Sequence, residues 1–474
     1  METILPQVKN IVVVMFENRS FDNICGWLHA TAARQPSVYL PAGSPQRFDG
    51  LDPALWNPSN AGYFNGQPPI KVPVEQGCTD FTVPNPDPEE TFDNVNYQMY
   101  GPEGPNPAPR WPMQGFVVNY ENAASFTANQ IMENYRPSQV PVISALAQNY
   151  AVSDAWFCSV PSQTLPNRSF VHAGTSNGNV DNGDPADPFE WDVPSIFNVL
   201  QSIGASWAVY SDASLTPSLT RTFFPRLWDP LLQDHFRGFG AFQVACANNS
   251  LPQYSFIEPM FLLDPNDEHP PHDISKGEQF LYQIWEAVSE SPGWSNILLI
   301  ITYDEHGGCY DHVLPPLGAK TPDPASNPGK NRFSFDRFGV RVPTVLVSPF
   351  IEAGTIFRSN TATPYDHTSI LATLRDWLGI SAVDMLPSRR IAAAPNLAQV
   401  LSLAVPRKDK PAITPPQSTP VQTPLTLPPN DLQKTLVAGT ARRFGMDATT
   451  VLAQIKTRQH AVDFFKQRMS VARL

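Results

Sequence analysis

Three short clusters in this sequence carry residues able to hold a cation and attack an electrophile. Glu17 and Asn18 open Glu17-Asn18-Arg19-Ser20-Phe21-Asp22; a carboxylate followed by an amide oxygen suits a hard cation, which prefers oxygen ligands. Asp304 and Glu305 open Asp304-Glu305-His306-Gly307-Gly308. Consecutive carboxylates repel one another unless a cation or a proton neutralises them, and paired glycines let the backbone pass close to a ligand. Glu-Asn alone reads as a turn with a helix cap, but two acidic clusters in one chain point to a shared metal site. The third cluster is Thr164-Leu165-Pro166-Asn167-Arg168. Proline is at home in the first turn of a helix, which puts Thr164 near a helix N-terminus, where free N–H groups and the dipole favour an anion such as phosphate. A metal-bound hydroxyl there is a nucleophile near neutral pH; standing alone, the motif is an ordinary threonine cap.

The elements that must position these clusters are legible as an α/β alternation. Residues 10–16 and 296–303 are continuously apolar and rich in β-branched residues, the pattern of buried parallel strands. Each acidic cluster follows one of them, at the C-terminal end where open α/β sheets bind ligands. Between and after them the periodicity predicts a helix over 138–149, a strand over 150–157, a helix over 195–203 and strands over 205–210 and 253–257. A helix over 276–290, a strand over 340–347 and a helix over 368–378 follow. The fold class is therefore a three-layer α/β/α protein with a mostly parallel central sheet. Residues 35–115 show little periodicity and many Pro, Asn, Gly and Asp, so an insertion over 35–120 is expected to serve as a lid or substrate wall.

A catalytic domain over 1–404 is expected to be followed by a linker over 405–429, which holds eight prolines and favours polyproline conformation. Residues 430–474 read as a basic helical appendage with eight Lys/Arg against three Asp. It either docks on the acidic body or makes a peripheral contact with anionic lipid or another subunit. The formal charge is −12, which argues against nucleic acid as a partner. Five widely spaced cysteines without a CxxC pair exclude a zinc ribbon and point to free buried thiols. No stretch approaches the ~20 apolar residues of a membrane span, and no basic leader with a cleavage site is visible. That fits a cytoplasmic protein, one exported without a leader, or a secreted one whose leader has been removed.

The motifs Glu-Asn-Arg-Ser-Phe-Asp, Thr-x-Pro-Asn-Arg, Asn-Asp-x-His-Pro (Asn266 to Pro270) and Asp-Glu-His-Gly-Gly-x-Tyr-Asp-His-Val occur in that order. Together they resemble the bacterial phosphoesterase family that includes phosphatidylcholine-hydrolysing phospholipase C and a burst-inhibiting acid phosphatase. The resemblance implies an alkaline-phosphatase-like core and one divalent metal ion (Ca, Zn, Mg or Mn). It places the metal ligands on Glu17, Asn18, Thr164, Asp304 and Glu305, with Thr164 also the nucleophile. His269, beside Asp267, and His306 resemble the family's phosphate-side histidines, and either would protonate the leaving alkoxide. Asn167 is a further candidate phosphate donor. His367, Asp267 and Glu90 are candidate supports, and a structural role for His312 and His367 stays open. Where many relatives carry histidine in an Asp-Pro-x-His stretch, this chain has Glu90 in Asp87-Pro88-Glu89-Glu90, so Glu90 either replaces that group or leaves it missing.

The expected activity is hydrolysis of a phospholipid to diacylglycerol and a phosphorylated headgroup through a phosphothreonine. Acid phosphatase action on monoesters, and a non-catalytic binding protein on the same fold, are the alternatives. Phe92, Tyr97, Tyr100, Trp111, Phe116 and Tyr120 supply either a choline cage or core packing. The oligomeric state is not encoded in these patterns.

Overall fold

The computed structural model describes residues 4–471 apart from 31–34, 106–107, 125, 184–190, 213–216 and 417–423. Its centre is a nine-stranded sheet: β1 (Asn10–Phe16), β2 (Val38–Leu40), β3 (Ala151–Ser153), β4 (Trp207–Ser211), β5 (Phe236–Gly238), β6 (Tyr254–Glu258), β7 (Ile297–Tyr303), β8 (Thr344–Val347) and β9 (Thr355–Phe357). The spatial order is β5-β4-β6-β1-β7-β8-β3-β9-β2. All neighbours are parallel except those of β8, which runs against both β7 and β3. Helices Pro141–Asn149, Phe239–Ala247 and Ile274–Ser289 pack together in one layer, and Thr164–Ala173, Ile196–Ser202 and Thr368–Leu378 in the other. The expected three-layer architecture is therefore present.

The two central strands are apolar throughout because helices cover both of their faces: every residue of β7, and all of β1 after Asn10, is buried. Their register sets the site. Asn10 pairs with Ile297 and each following residue in step, to Phe16 opposite Tyr303. The first residues past both strand ends, Glu17 and Asp304, are thereby brought side by side, and Asp304 donates its N–H to Phe16 O at 3.2 Å.

Several boundaries differ from expectation. The strand predicted over 150–157 divides into β3 and Trp156–Phe157, which pairs with Tyr365–Asp366 in a separate ribbon. At the break, Asp154 receives the Arg358 guanidinium, a polar demand that a continuous buried ladder could not meet. The insertion is not loop throughout: it holds a hairpin of Trp56–Pro58 with Lys71–Pro73 and helices Phe92–Tyr100 and Phe116–Tyr120. Tyr100, Phe116 and Tyr120 pack with Val95, Met99 and Val117 in a small core. Those aromatic residues are spent on packing rather than on a cage.

The C-terminal appendage consists of helices Asp431–Arg443, Ala448–Gln454 and Arg458–Val471. Its apolar face, through Leu436, Val437 and Phe465, packs with Leu165, Leu219 and Phe261 of the body. The Gln433 amide donates to Phe261 O at 2.8 Å and Arg458 to Leu262 O at 2.6 Å. The segment thus docks on the body. The described part of the linker has no helix or strand, and its residues 417–423 lie outside the described residues. All five cysteines are buried and unbridged.

A buried ion network ties the segments after β1 and β7 together. Arg341 donates to Asp22 at 2.9 Å and to Asp311 at 3.0 Å, and to the carbonyls of Asp49 and Asp154 at 2.8 and 2.9 Å. Asp22 also accepts from His312 Nδ1 at 2.6 Å. Burial works against the charge on His312, but Asp22 and Asp49 overcome it and hold its pKa up at about 10. Removing one partner of a buried ion network strands the others. Arg341→Met is therefore expected to lower unfolding free energy by about 3–5 kcal/mol, read as an earlier midpoint in urea.

Candidate active site

Glu17, Asn18, Asp304 and Glu305 meet at the ends of β1 and β7, fully buried. Asp304 Oδ1 accepts from Asn18 N at 3.0 Å and from Glu305 N at 2.8 Å, so one carboxylate organises both strand ends. Asn18 holds a left-handed backbone with φ of 54°, a conformation asparagine tolerates better than most residues. Gly307 must be glycine: its φ is +61° and a Cβ there would lie 2.2 Å from Asn18 O. Gly307 thus lets the backbone of one acidic cluster pass over the other, while Gly308 lies against Pro88 and Glu89 of the insertion.

Thr164 is the first residue of helix Thr164–Ala173, after Gln163 in extended conformation. Its Oγ1 lies 3.3 Å from both Glu17 Oε2 and Asn18 Oδ1, long for hydroxyl hydrogen bonds. Three oxygens therefore converge without closing tightly on one another. The expected free N–H groups at this helix start are fewer than the sequence implies. Pro166 has none, and Leu165 N donates to Asn182 Oδ1 at 2.9 Å. Asn167 does not face a phosphate: its amide nitrogen donates to the carbonyls of Val160, Ser162 and Gln163, and its oxygen accepts from Val160 N. It shapes the turn that presents Thr164.

Arg168 is the residue that motif reading passed over. It sits one helical turn after Thr164, on the same face; that spacing was the available signal. Its guanidinium pairs with Glu17 Oε1 and, at 3.1 Å, with Asp304 Oδ2, and also donates to Met15 O at 3.2 Å. Burial raises the pKa of Glu17, of Asp304 and of Glu305; Arg168 opposes the rise at the first two, and the charge of Asp304 adds to it at Glu305. Three buried carboxylates against one guanidinium leave an uncompensated negative charge, and Glu305 Oε1 has no hydrogen-bond partner. An all-oxygen set with that deficit fits a divalent cation. Asp22, Asp311 and His312 also bring ligand atoms within 4.8 Å of one another, but Arg341 already bridges both carboxylates, so that cluster is neutralised and does not fit one.

The histidines divide by role. His306 is wholly buried, and its Nε2 lies 2.8 Å from Gln98 Oε1. Since the Gln98 nitrogen donates to Glu89 O and Asn119 Oδ1, the oxygen must accept and Nε2 carries the proton. Nδ1 of His306 is left without a partner, 3.3 Å from Glu305 Oε2; burial pushes its pKa down to about 3. His367 donates Nε2–H to Asp304 O at 2.6 Å, which makes it a support for the Asp304 main chain. His269 directs Nδ1–H to Pro270 O at 2.5 Å, which leaves Nε2 as an acceptor; burial and then His272 push its pKa down to about 4. Asp267 holds this segment in place: its carboxylate binds His272 Nδ1 at 2.6 Å and its carbonyl accepts Glu17 N at 2.8 Å.

Thr164, Gln163 and His269 line a cleft of about 210 Å³ together with Asp87, Glu90 and Asp431. Burial, and then the charge of Glu305, raises the Glu90 pKa well above the usual carboxylate range; burial and Glu90 do the same for Asp87. Asp431, from the first appended helix, completes a wall that contains no lysine or arginine among the described residues.

A family model described as the phosphoesterase family matches residues 8–381. Among curated proteins, the chain is 33% identical over 420 residues to non-specific phospholipase C5 of Arabidopsis thaliana, covering 85% of this chain and 76% of that protein. It is 28% identical over 447 residues to phospholipase C B of Mycobacterium tuberculosis, covering 85% and 79%. Relatives therefore occur in plants as well as bacteria. A solved structure from the alkaline phosphatase superfamily of Vibrio parahaemolyticus matches with a TM-score of 0.32 and 10% identity, covering 53% of this chain and 63% of that one. The fold is defined by the strand order above rather than by that likeness.

Proposed function

This chain belongs to the phosphoesterase family and hydrolyses phosphoric esters, and from that premise we propose that it is a metal-dependent phospholipase C. It would cut the bond between phosphate and diacylglycerol in a phospholipid. Glu17, Asn18, Thr164, Asp304 and Glu305 would hold one divalent ion (Ca, Zn, Mg or Mn), which when bound withdraws charge from a phosphoryl oxygen and acidifies a hydroxyl.

The chain's own groups supply the remaining steps. Thr164 Oγ1 attacks phosphorus while its proton passes to the free Nε2 of His269. The phosphorus–oxygen bond to diacylglycerol breaks as the Oγ1–phosphorus bond forms, and Glu90, whose proton affinity burial raises, gives a proton to the leaving oxygen. Water then attacks the phosphothreonine and yields its proton to the Glu90 carboxylate; protonated His269 returns a proton to Thr164 Oγ1. Glu90 thus takes the leaving-group role that the sequence leaves open at this position, and His306, sealed behind Gln98, takes no part in proton transfer. Arg168 positions Glu17 and Asp304.

The observation that carries the diester over the monoester is the cleft wall. The carboxylates of Glu89 and Asp431, with no lysine or arginine among the described lining residues, repel a monoester dianion more than a diester monoanion. One extra like charge at the rim of a cleft is worth about 1–2 kcal/mol, so kcat/KM on phosphatidylcholine should exceed that on p-nitrophenyl phosphate by about tenfold or more. Equal or better hydrolysis of the monoester would instead identify an acid phosphatase.

A further inference from the structure

Phe126 is 99% exposed, more than any other large apolar side chain among the described residues. It stands in the turn between helix Phe116–Tyr120 and the short helical turn Ala128–Met132. No charged residue lies between Glu121 and Glu133. Ile70, 62% exposed, leads into the second strand of the neighbouring hairpin, Lys71–Pro73, which packs against Ala128–Met132. Beneath the two tips, Val72 and Ala123 are half-buried on the same small core as Ala124 and Ala128. Single exposed apolar residues are ordinary on protein surfaces; these two stand on adjacent elements, with a charge-free stretch around Phe126 and the exposed Lys71 beside Ile70.

This patch is tied to the catalytic cleft. Tyr120 OH donates to Pro86 O at 2.6 Å, and Asn85 N donates to Gln130 Oε1 at 3.1 Å. The residues so anchored run directly into Asp87–Thr91, one wall of the cleft. At about 210 Å³ that cleft is below the size of ordinary small-molecule pockets, too small to enclose a diacyl lipid, so such a substrate has to be reached in the surface where it resides. Among the described residues, the helices of the appendage offer no competing apolar face, because their apolar side is buried on the body.

We propose that the Phe126 turn and the Ile70 hairpin tip dock this enzyme on an uncharged, zwitterionic phospholipid surface and set the cleft against the headgroups. The inference rests on the phospholipase reading for its substrate. The charge-free Phe126 turn matches such a surface, apolar side chains insert at its headgroup boundary, and a net charge of −12 opposes an anionic bilayer.

The test compares the full chain with its Phe126→Ser/Ile70→Ser double variant. Sedimentation with dioleoylphosphatidylcholine vesicles reads docking; hydrolysis of the same vesicles and of soluble p-nitrophenyl phosphorylcholine reads catalysis. Both side chains are exposed, so folding is unaffected. Vesicle binding and vesicle hydrolysis are expected to fall about tenfold or more, with soluble-diester hydrolysis within about twofold of wild type. Unchanged vesicle binding would overturn the proposal, as would an equal loss on the soluble diester or binding confined to anionic vesicles. Wild-type protein that binds these vesicles through the two tips yet cleaves neither diester would leave the docking surface standing and remove the phospholipase reading.

Discussion

Thr164→Ala is expected to lower kcat on a phosphodiester by on the order of a thousandfold or more, while the protein folds and still takes up metal. Among the described residues, the hydroxyl is the only nucleophile in the cleft held against the oxygens of Glu17 and Asn18. Water could replace it only without the orientation that the helix start provides. The cost to folding should stay near 1 kcal/mol, because Thr164 opens its helix without supplying a side-chain cap and its two contacts are long. Four of the five oxygen donors remain, so metal content should be largely kept. Thr164→Ser, which restores a hydroxyl at the same place, should recover measurable turnover. Activity of Thr164→Ala within about tenfold of wild type would remove Thr164 as nucleophile.

Asp304→Asn should have the second-largest effect, and through a different quantity. Asp304 accepts three donors at once, from Asn18 N, Glu305 N and Arg168 Nε. The isosteric amide has one acceptor oxygen, so its nitrogen must face a donor, and one negative charge disappears from the cluster. Metal content, measured by elemental analysis, should drop to a small fraction of the roughly one ion per chain expected of wild type. Turnover should fall by on the order of a hundredfold or more. In wild type, a chelator should abolish activity and a divalent salt restore it; in Asp304→Asn the same salt concentration should not. Unchanged metal content in the variant would place the ion elsewhere.

The contrast between these two substitutions reflects how the site is built. Thr164 contributes a reacting atom, whereas Asp304 contributes charge and the hydrogen bonds that bring two strand ends together. Around them stand groups whose work is positional: Arg168 between Glu17 and Asp304, His367 under the Asp304 carbonyl, Asn167 inside the turn before Thr164. Each is buried; His367 and Asn167 have their side-chain donors spent within the protein, while Arg168 pairs with both carboxylates and keeps Nη1 without a partner among the described residues.

The parts of this arrangement that sequence could reveal are those set by local pattern. β1 and β7 are visible because burial on both faces demands unbroken apolar runs, and the clusters at their ends follow from chain order alone. The pairing of Glu17 with Asp304 depends on a register between strands separated by most of the chain, which apolar pattern suggests but does not fix. The reversed direction of β8 is invisible because strand direction leaves no mark on side-chain type. Asn167 and Arg168 stand side by side in one motif, yet one faces the turn behind the helix and the other the carboxylates. Only the helix phase separates them. Asp431 reaches the cleft from more than 250 positions beyond Thr164, through packing that no local window contains. Glu90 was legible as a departure, while its raised pKa comes from burial and the charge of Glu305, which are properties of the folded cleft.

The claim that turnover passes through a phosphothreonine is tested most directly by the stereochemical course at phosphorus. A P-chiral, isotopically labelled phosphorothioate analogue of the phospholipid would be hydrolysed and the configuration of the released headgroup phosphorothioate determined. Two in-line displacements, first by Thr164 and then by water, predict overall retention. Inversion would mean a single attack by water and would contradict the mechanism.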